Sequence, residues 1–256
     1  MTIEEIRNKV FTSDEYKFIR TDEQLHNNVI LLYLSGSYAY GTNTEDSDID
    51  VRGITLNSRR QVLLGQDFGS ISDINTDTVI YSFKKMVKML CSNSPSAIEI
   101  FGLKPEHILF SNYIGEDLLK RKDMFLTKKV GYAFKGYIES SLKLLESEKC
   151  LNDRKLMTKY MVHPIRLSFM ALDILKYHEV HTYRNEEHDL LMRIRQGMYL
   201  TDEGKPDYAY NFLINMYKNA LNTFISNCDL PDKVDLVEVY DYVASVCEMI
   251  VKGEIT

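Results

Sequence analysis

The sequence predicts an α+β protein in two parts: a mixed sheet with helices over residues 1–125, then a helical module over 126–256. Three observations predict it. Short runs rich in strand formers fill the first half, one of them ending in Ser-Gly-Ser. From about Lys128 the apolar residues recur every three or four positions instead. The 256 residues, 45% of them hydrophobic, suffice for one large domain or two modest ones.

The run Val29–Leu34 (VILLYL) reads as a buried strand. Residues 48–56 alternate Asp48, Asp50 and Arg52 with Ile49, Val51 and Gly53, the pattern of a strand with one polar and one buried face. A third strand is expected at 76–82, running into a helix at 83–91 with Phe83, Met86, Val87 and Leu90 as its apolar stripe. Later helices are expected near 128–148, 153–179, 186–196, 207–227 and 233–252. Pro164 predicts a kink or break near His163, because proline removes an intrahelical donor and crowds the preceding turn. Neither an internal repeat nor a low-complexity linker separates the two parts.

Composition excludes several classes of function. Residues 1–10 carry Glu4, Glu5 and Arg7 and do not read as a signal peptide. No stretch approaches the roughly 20 apolar residues of a membrane helix, so no membrane partner is expected. Cys91, Cys150, Cys228 and Cys247 are scattered, which fits free thiols in the cytoplasm better than a disulfide framework or a zinc ribbon. His178, His181 and His188 lie close together, but no cysteine is near them in sequence, and they read as a polar helix end and loop. A formal charge of −6 argues against a protein that coats duplex DNA. The clusters Lys84, Lys85, Lys88 and Lys120, Arg121, Lys122, Lys128, Lys129 read as solvated helix faces ahead of the alternative, substrate binding.

The chemistry concentrates in residues 35–53. A strand ending in Ser35-Gly36-Ser37 and turning into a short helix offers backbone N–H groups to a phosphate. Gly36 permits close approach and Ser37 adds a hydroxyl. Downstream, Asp48 and Asp50 project together if the backbone is extended, and paired carboxylates suit a hard divalent ion such as Mg²⁺. Arg52, two further along, either touches phosphate or pairs with an aspartate. In the helical half, Lys159, His163 and Arg166 share a face if the helix is continuous, giving either a cationic stripe for triphosphate or acceptor, or a solvated face with one packed histidine.

The pattern Gly-Ser, then Gly41, then Ser47-Asp48-Ile49-Asp50 resembles the signature of the DNA polymerase β-like nucleotidyltransferases. It looks especially like a subgroup of predicted nucleotidyltransferases, some encoded beside RNA ligases. Supporting stretches are Asp77 to Tyr81 with Phe83 and Lys85, residues 93–101 (NSPSAIEIF), Lys159-x-x-x-His163-x-x-Arg166-Leu167 and residues 190–197 (LLMRIRQG), which include Arg193 and Arg195. The resemblance implies a nucleotidyltransferase-type mixed sheet followed by helices. It also implies a two-metal site of Mg²⁺ or Mn²⁺ held by Asp48, Asp50 and a third carboxylate. Asp77 is the choice for that role, with Asp73 and Glu99 as rivals. Gly36, Ser37, Arg52, Lys159, His163 and Arg166 are the expected nucleotide-binding set.

The leading reading is transfer of a nucleoside monophosphate from an NTP, with ATP expected, to an acceptor hydroxyl, releasing pyrophosphate. RNA, a protein side chain and a small molecule are the candidate acceptors, and the resemblance leans towards RNA. The alternative is a catalytically silent nucleotide-binding sensor or complex subunit.

Overall fold

The computed structural model describes residues 1–254. Its sheet is built around β1, Val29–Leu34, whose last five residues are all buried. That explains the unbroken apolar run, since a central strand covered on both faces has no polar side to alternate with. β2, Val51–Thr55, runs antiparallel to β1, with Leu34 opposite Val51. β3, Ser70–Asp73, lies at one edge and pairs antiparallel with β4, Thr78–Ser82. β4 in turn runs parallel to β2, with Val51 opposite Thr78. β5, Ile108–Ser111, closes the other edge antiparallel to β1, giving the order β3-β4-β2-β1-β5. The sheet is mixed, and the class is α+β as expected. Gly53 is required in β2: a Cβ there would lie 2.9 Å from the Leu31 carbonyl oxygen and 3.0 Å from Leu32 Cδ1.

Two expected strands are shorter than the alternation suggested. The one expected over 48–56 begins only at Val51, so Asp48 and Asp50 precede it. The ladder to β4 starts at Thr78, and ahead of it Asp50 O accepts the Ser35 N–H at 2.9 Å. The strand expected from 76 starts at Thr78 because residues 74–77 form a turn. β3 and β5 were not anticipated. Each has four residues, too few for a period to register.

By packing, the chain divides into two compact units, the first from 1–91, 103–125 and 234 onward, the second from 92–102 and 126–233. The helix Leu236–Lys252 therefore packs with the sheet unit, and residues 92–102 with the helical one, although a single cut at 125 would assign both oppositely. In the first unit Ile6, Val10, Tyr16, Leu25, Leu32, Leu34, Tyr38, Val51, Ile80 and Leu109 form a core cluster. The helix Phe83–Cys91 buries the stripe expected of it, Phe83, Met86, Val87 and Leu90. Phe83 meets Tyr242 of the last helix edge-on at 5.7 Å.

In the second unit the long helices are Lys129–Leu145, Arg154–Tyr177 and Tyr208–Asn227, with His188–Arg195 between the last two. Arg154–Tyr177 packs against the other three. Of the kink or break expected at Pro164, a break is absent: the helix is continuous through it. Proline costs the helix the donor that would reach Tyr160 O, but Pro164 is itself buried, and the neighbouring carbonyls are well supplied. Tyr210 Oη donates to Met161 O at 2.8 Å and Ser168 Oγ to Pro164 O at 2.8 Å. No helix among the described residues is long and apolar enough to cross a membrane.

Candidate active site

β1 delivers the chain into Ser35, Gly36 takes φ +59°, and a five-residue helix, Gly36–Tyr40, follows and ends at Gly41 with φ 71°. Five residues carry little macrodipole, so what this turn offers an anion is backbone N–H groups and the partly exposed Ser37 hydroxyl. Its packing explains the glycine. A Cβ on residue 36 would lie 2.6 Å from Asp50 Cγ and closer still to Oδ2. The Asp50 carboxylate thus occupies the space any other side chain at 36 would need, and the turn and the aspartate form one site.

Between the two aspartates, Ile49 packs against the core of the first unit, leaving Asp48 exposed and the Asp50 carboxylate 18% exposed. The parallel register of β2 and β4 then brings in Asp77. Because Val51 faces Thr78, the residues just before them, Asp50 and Asp77, stand side by side. Asp77 takes φ +44°, and its carbonyl accepts the Val51 N–H at 3.3 Å. Arg52 folds its guanidinium back over this junction. Nη2 lies 3.0 Å from Asp77 Oδ1 and 3.8 Å from Asp50 Oδ1, while Nη1 donates to the carbonyls of Val51 and Asp77. Of the two roles open to Arg52 in the sequence, pairing with aspartates is the one seen here.

The rivals for the third carboxylate are otherwise engaged. Asp73 accepts from Thr76 N at 2.9 Å and Thr76 Oγ1 at 2.8 Å, shaping the turn that presents Asp77. Glu99 belongs to the second unit, where its buried carboxylate meets Arg166 Nη2 at 2.8 Å. One residue the sequence did not flag stands near the acidic group. Tyr16 is only 2% exposed, and its phenol is pushed up to about 12 by burial, then by the charges of Glu15, Asp50, Asp73 and Asp77. Nothing in its local sequence marks it, since it reads as one more core aromatic.

The donor chemistry fits a divalent cation. Asp50 and Asp77 stand side by side where two parallel strands begin, with Asp48 two residues ahead of Asp50 in the chain, all oxygen donors of the kind hard ions prefer. A cationic guanidinium already lies within 4 Å of two of them. Asp48, Asp50 and Asp77 are the residues that would hold such an ion.

The set Lys159, His163 and Arg166 lies in the second unit and is not a row of three solvated cations. Lys159 is exposed, His163 partly buried, and Arg166 fully buried against Glu99. His163 Nδ1 is 3.4 Å from Arg166 Nη2. Burial, and then the Arg166 charge, push the imidazole down to about 3, so it is neutral at pH 7. Arg195 is tied to Lys155 O and Thr158 Oγ1, and Arg193 lies 5.9 Å over the Tyr199 ring. In the lysine-rich clusters, Arg121 pairs with Asp117 at 2.8 Å and Lys128 with Asp232 at 3.3 Å.

A family model described as RlaP, RNA repair pathway DNA polymerase beta family, matches residues 12–227. A protein of Enterobacteria phage T4, described as an uncharacterized 38.9 kDa protein in the nrdC-mobD intergenic region, is 26% identical over 154 residues. That match covers 55% of this chain and 41% of the phage protein, so the chain spans less than half the length of this relative. The family match runs from the first unit through the last long helix of the second, taking in the Gly-Ser turn and all three carboxylates. This chain belongs to the RNA repair pathway DNA polymerase beta family.

Proposed function

We propose that the chain transfers a nucleoside monophosphate from an NTP, ATP in the first instance, to an acceptor hydroxyl with release of pyrophosphate. One observation carries this reading: the Asp50 carboxylate seated on Gly36 of the Gly-Ser turn, with Asp77 drawn to the same guanidinium. A phosphate held at the turn would therefore stand next to the carboxylates. In this scheme Asp48, Asp50 and Asp77 hold two Mg²⁺ or Mn²⁺ ions. When bound, those ions supply charge neutralisation at the phosphates and activation of the attacking hydroxyl. Gly36 and Ser37 orient the triphosphate. Arg52 gives up its contact with Asp50 and turns its charge to phosphate. Of the expected set in the second unit, Lys159 is the exposed cation, whereas His163 is neutral and Arg166 is paired with Glu99. RNA is the acceptor of first choice, a reading supported by the family's description as part of an RNA repair pathway.

Labelled NTPs, Mg²⁺ or Mn²⁺ and a pool of RNA, protein and small-molecule acceptors test this directly. Label transfer with pyrophosphate release is expected, and both should vanish in Asp50→Asn. The Arg52 bridge favours a second reading, since pinned carboxylates suit a nucleotide-binding sensor or complex subunit that performs no transfer. Nucleotide binding without pyrophosphate from any acceptor would select it.

A further inference from the structure

The helices Arg154–Tyr177 and Tyr208–Asn227 pack against each other, and their C-caps are His178 and Cys228. In sequence the histidines near 178 have no cysteine to complete a metal set. The fold supplies one. A ligand atom from each of His178, Cys228 and Asp229 lies within 4.8 Å of the others, and His178 Nε2 is 2.8 Å from Asp229 Oδ1. We infer that these three residues form a binding site for a borderline-soft divalent cation, Zn²⁺ above all, with a coordination position left to water.

The donor set is one nitrogen, one sulfur and one carboxylate oxygen, the mixture zinc takes when three protein ligands leave a fourth position open. Ligand atoms about 2.0–2.3 Å from a tetrahedral ion stand roughly 3.3–3.8 Å apart. The three groups reach that spacing by small movements, and Asp229, 84% exposed, is the one with room to make them. The electrostatics favour a cation, because two helix C-termini, the negative ends of their dipoles, end at these ligands. His178 also caps its helix at φ +58°, a conformation that Gly or Asn adopts at lower cost, so the imidazole is kept at a conformational expense. As the metal binds, the Cys228 thiol loses its proton to solvent and an S–metal bond replaces the S–H bond. Affinity therefore falls as the pH is lowered. The site lies wholly in the second unit and does not depend on the nucleotidyl-transfer reading.

Titrating the metal-stripped full chain with Co²⁺ tests it. A thiolate-to-cobalt charge-transfer band in the near ultraviolet should saturate at one ion per chain, be bleached by Zn²⁺ and be indifferent to Mg²⁺. Asp50→Asn should leave it unchanged, whereas Cys228→Ser should remove it. His178→Gln and Asp229→Asn should each weaken Co²⁺ binding by about ten-fold or more. Absence of the band in the folded wild-type chain overturns the site. So does a band that survives Cys228→Ser, which would trace it to Cys91, Cys150 or Cys247. Where Cys228→Ser does not fold, the other two variants decide, and unchanged Co²⁺ affinity in both rules the site out.

Discussion

Replacing one hydrogen of Gly36 with a methyl group sets a carbon 2.6 Å from Asp50 Cγ in a backbone conformation that side chains rarely adopt. Gly36→Ala should therefore cost about 1–3 kcal/mol of stability, visible as a lower melting temperature. It should also reduce transfer by about a hundred-fold, because the displaced group is a metal-holding carboxylate in the proposed scheme. Wild-type transfer in this variant would disconnect the turn from the reaction. Asp50→Asn behaves differently. Arg52 keeps its shorter contact to Asp77, and the crowding of acidic groups is relieved. The metal-free chain should stay within about 0.5 kcal/mol of wild type while transfer is lost. A large fall in melting temperature would show Asp50 to be a structural partner of Arg52 instead. At this scale the Gly-Ser turn and the seat of Asp50 beside it were legible from spacing and residue type, whereas the strand expected to align Asp48 with Asp50 begins only after them. For Arg52 the sequence left two roles open and could not choose between them, since the choice depends on Asp77, which reaches it only through the register of two strands.

Among the elements, the helix Arg154–Tyr177 shows most clearly what periodicity conveys and what it omits. Its limits were readable within a few residues, but the polarity of its surface was not. Lys159, His163 and Arg166 look like a solvated stripe until Glu99, 67 residues from Arg166, arrives to bury the last of them. Short strands failed for a different reason: β3 and β5 owe their existence to partners, not to a pattern of their own. The buried imidazole has a measurable consequence. Its pKa in the folded chain is about 3, below the ordinary 6.5, so the unfolded chain binds this proton more readily across that interval. Stability from this group is complete above about pH 6.5 and declines as the pH falls towards 3, by at most about 1.4 kcal/mol per pH unit. Urea melts between pH 7 and pH 4 should show His163→Gln losing stability less steeply than wild type. Parallel slopes would mean that the imidazole accepts its proton without cost.

For the whole molecule, order along the chain is a poor guide to packing. The last helix follows four helices with the same spacing and is indistinguishable from them in sequence, yet it completes the unit that holds the sheet. What distinguishes it is a set of partners: Phe83 edge-on to Tyr242, the Arg121 guanidinium 4.2 Å over the same ring, and Arg59 Nε donating to Val251 O at 3.0 Å. Tyr242 is 5% exposed, so Tyr242→Ala removes a buried aromatic ring and should cost about 3 kcal/mol. Hydrogen exchange locates that cost. Amides of Phe83–Cys91 and Tyr113–Leu119 should lose protection, because their unit has lost part of its core. Those of Arg154–Tyr177 should keep theirs, since no residue of that helix belongs to the same unit. Loss of protection spread evenly over both sets would mean that the two units open as one cooperative body, and that their separate cores do not mark separate stabilities.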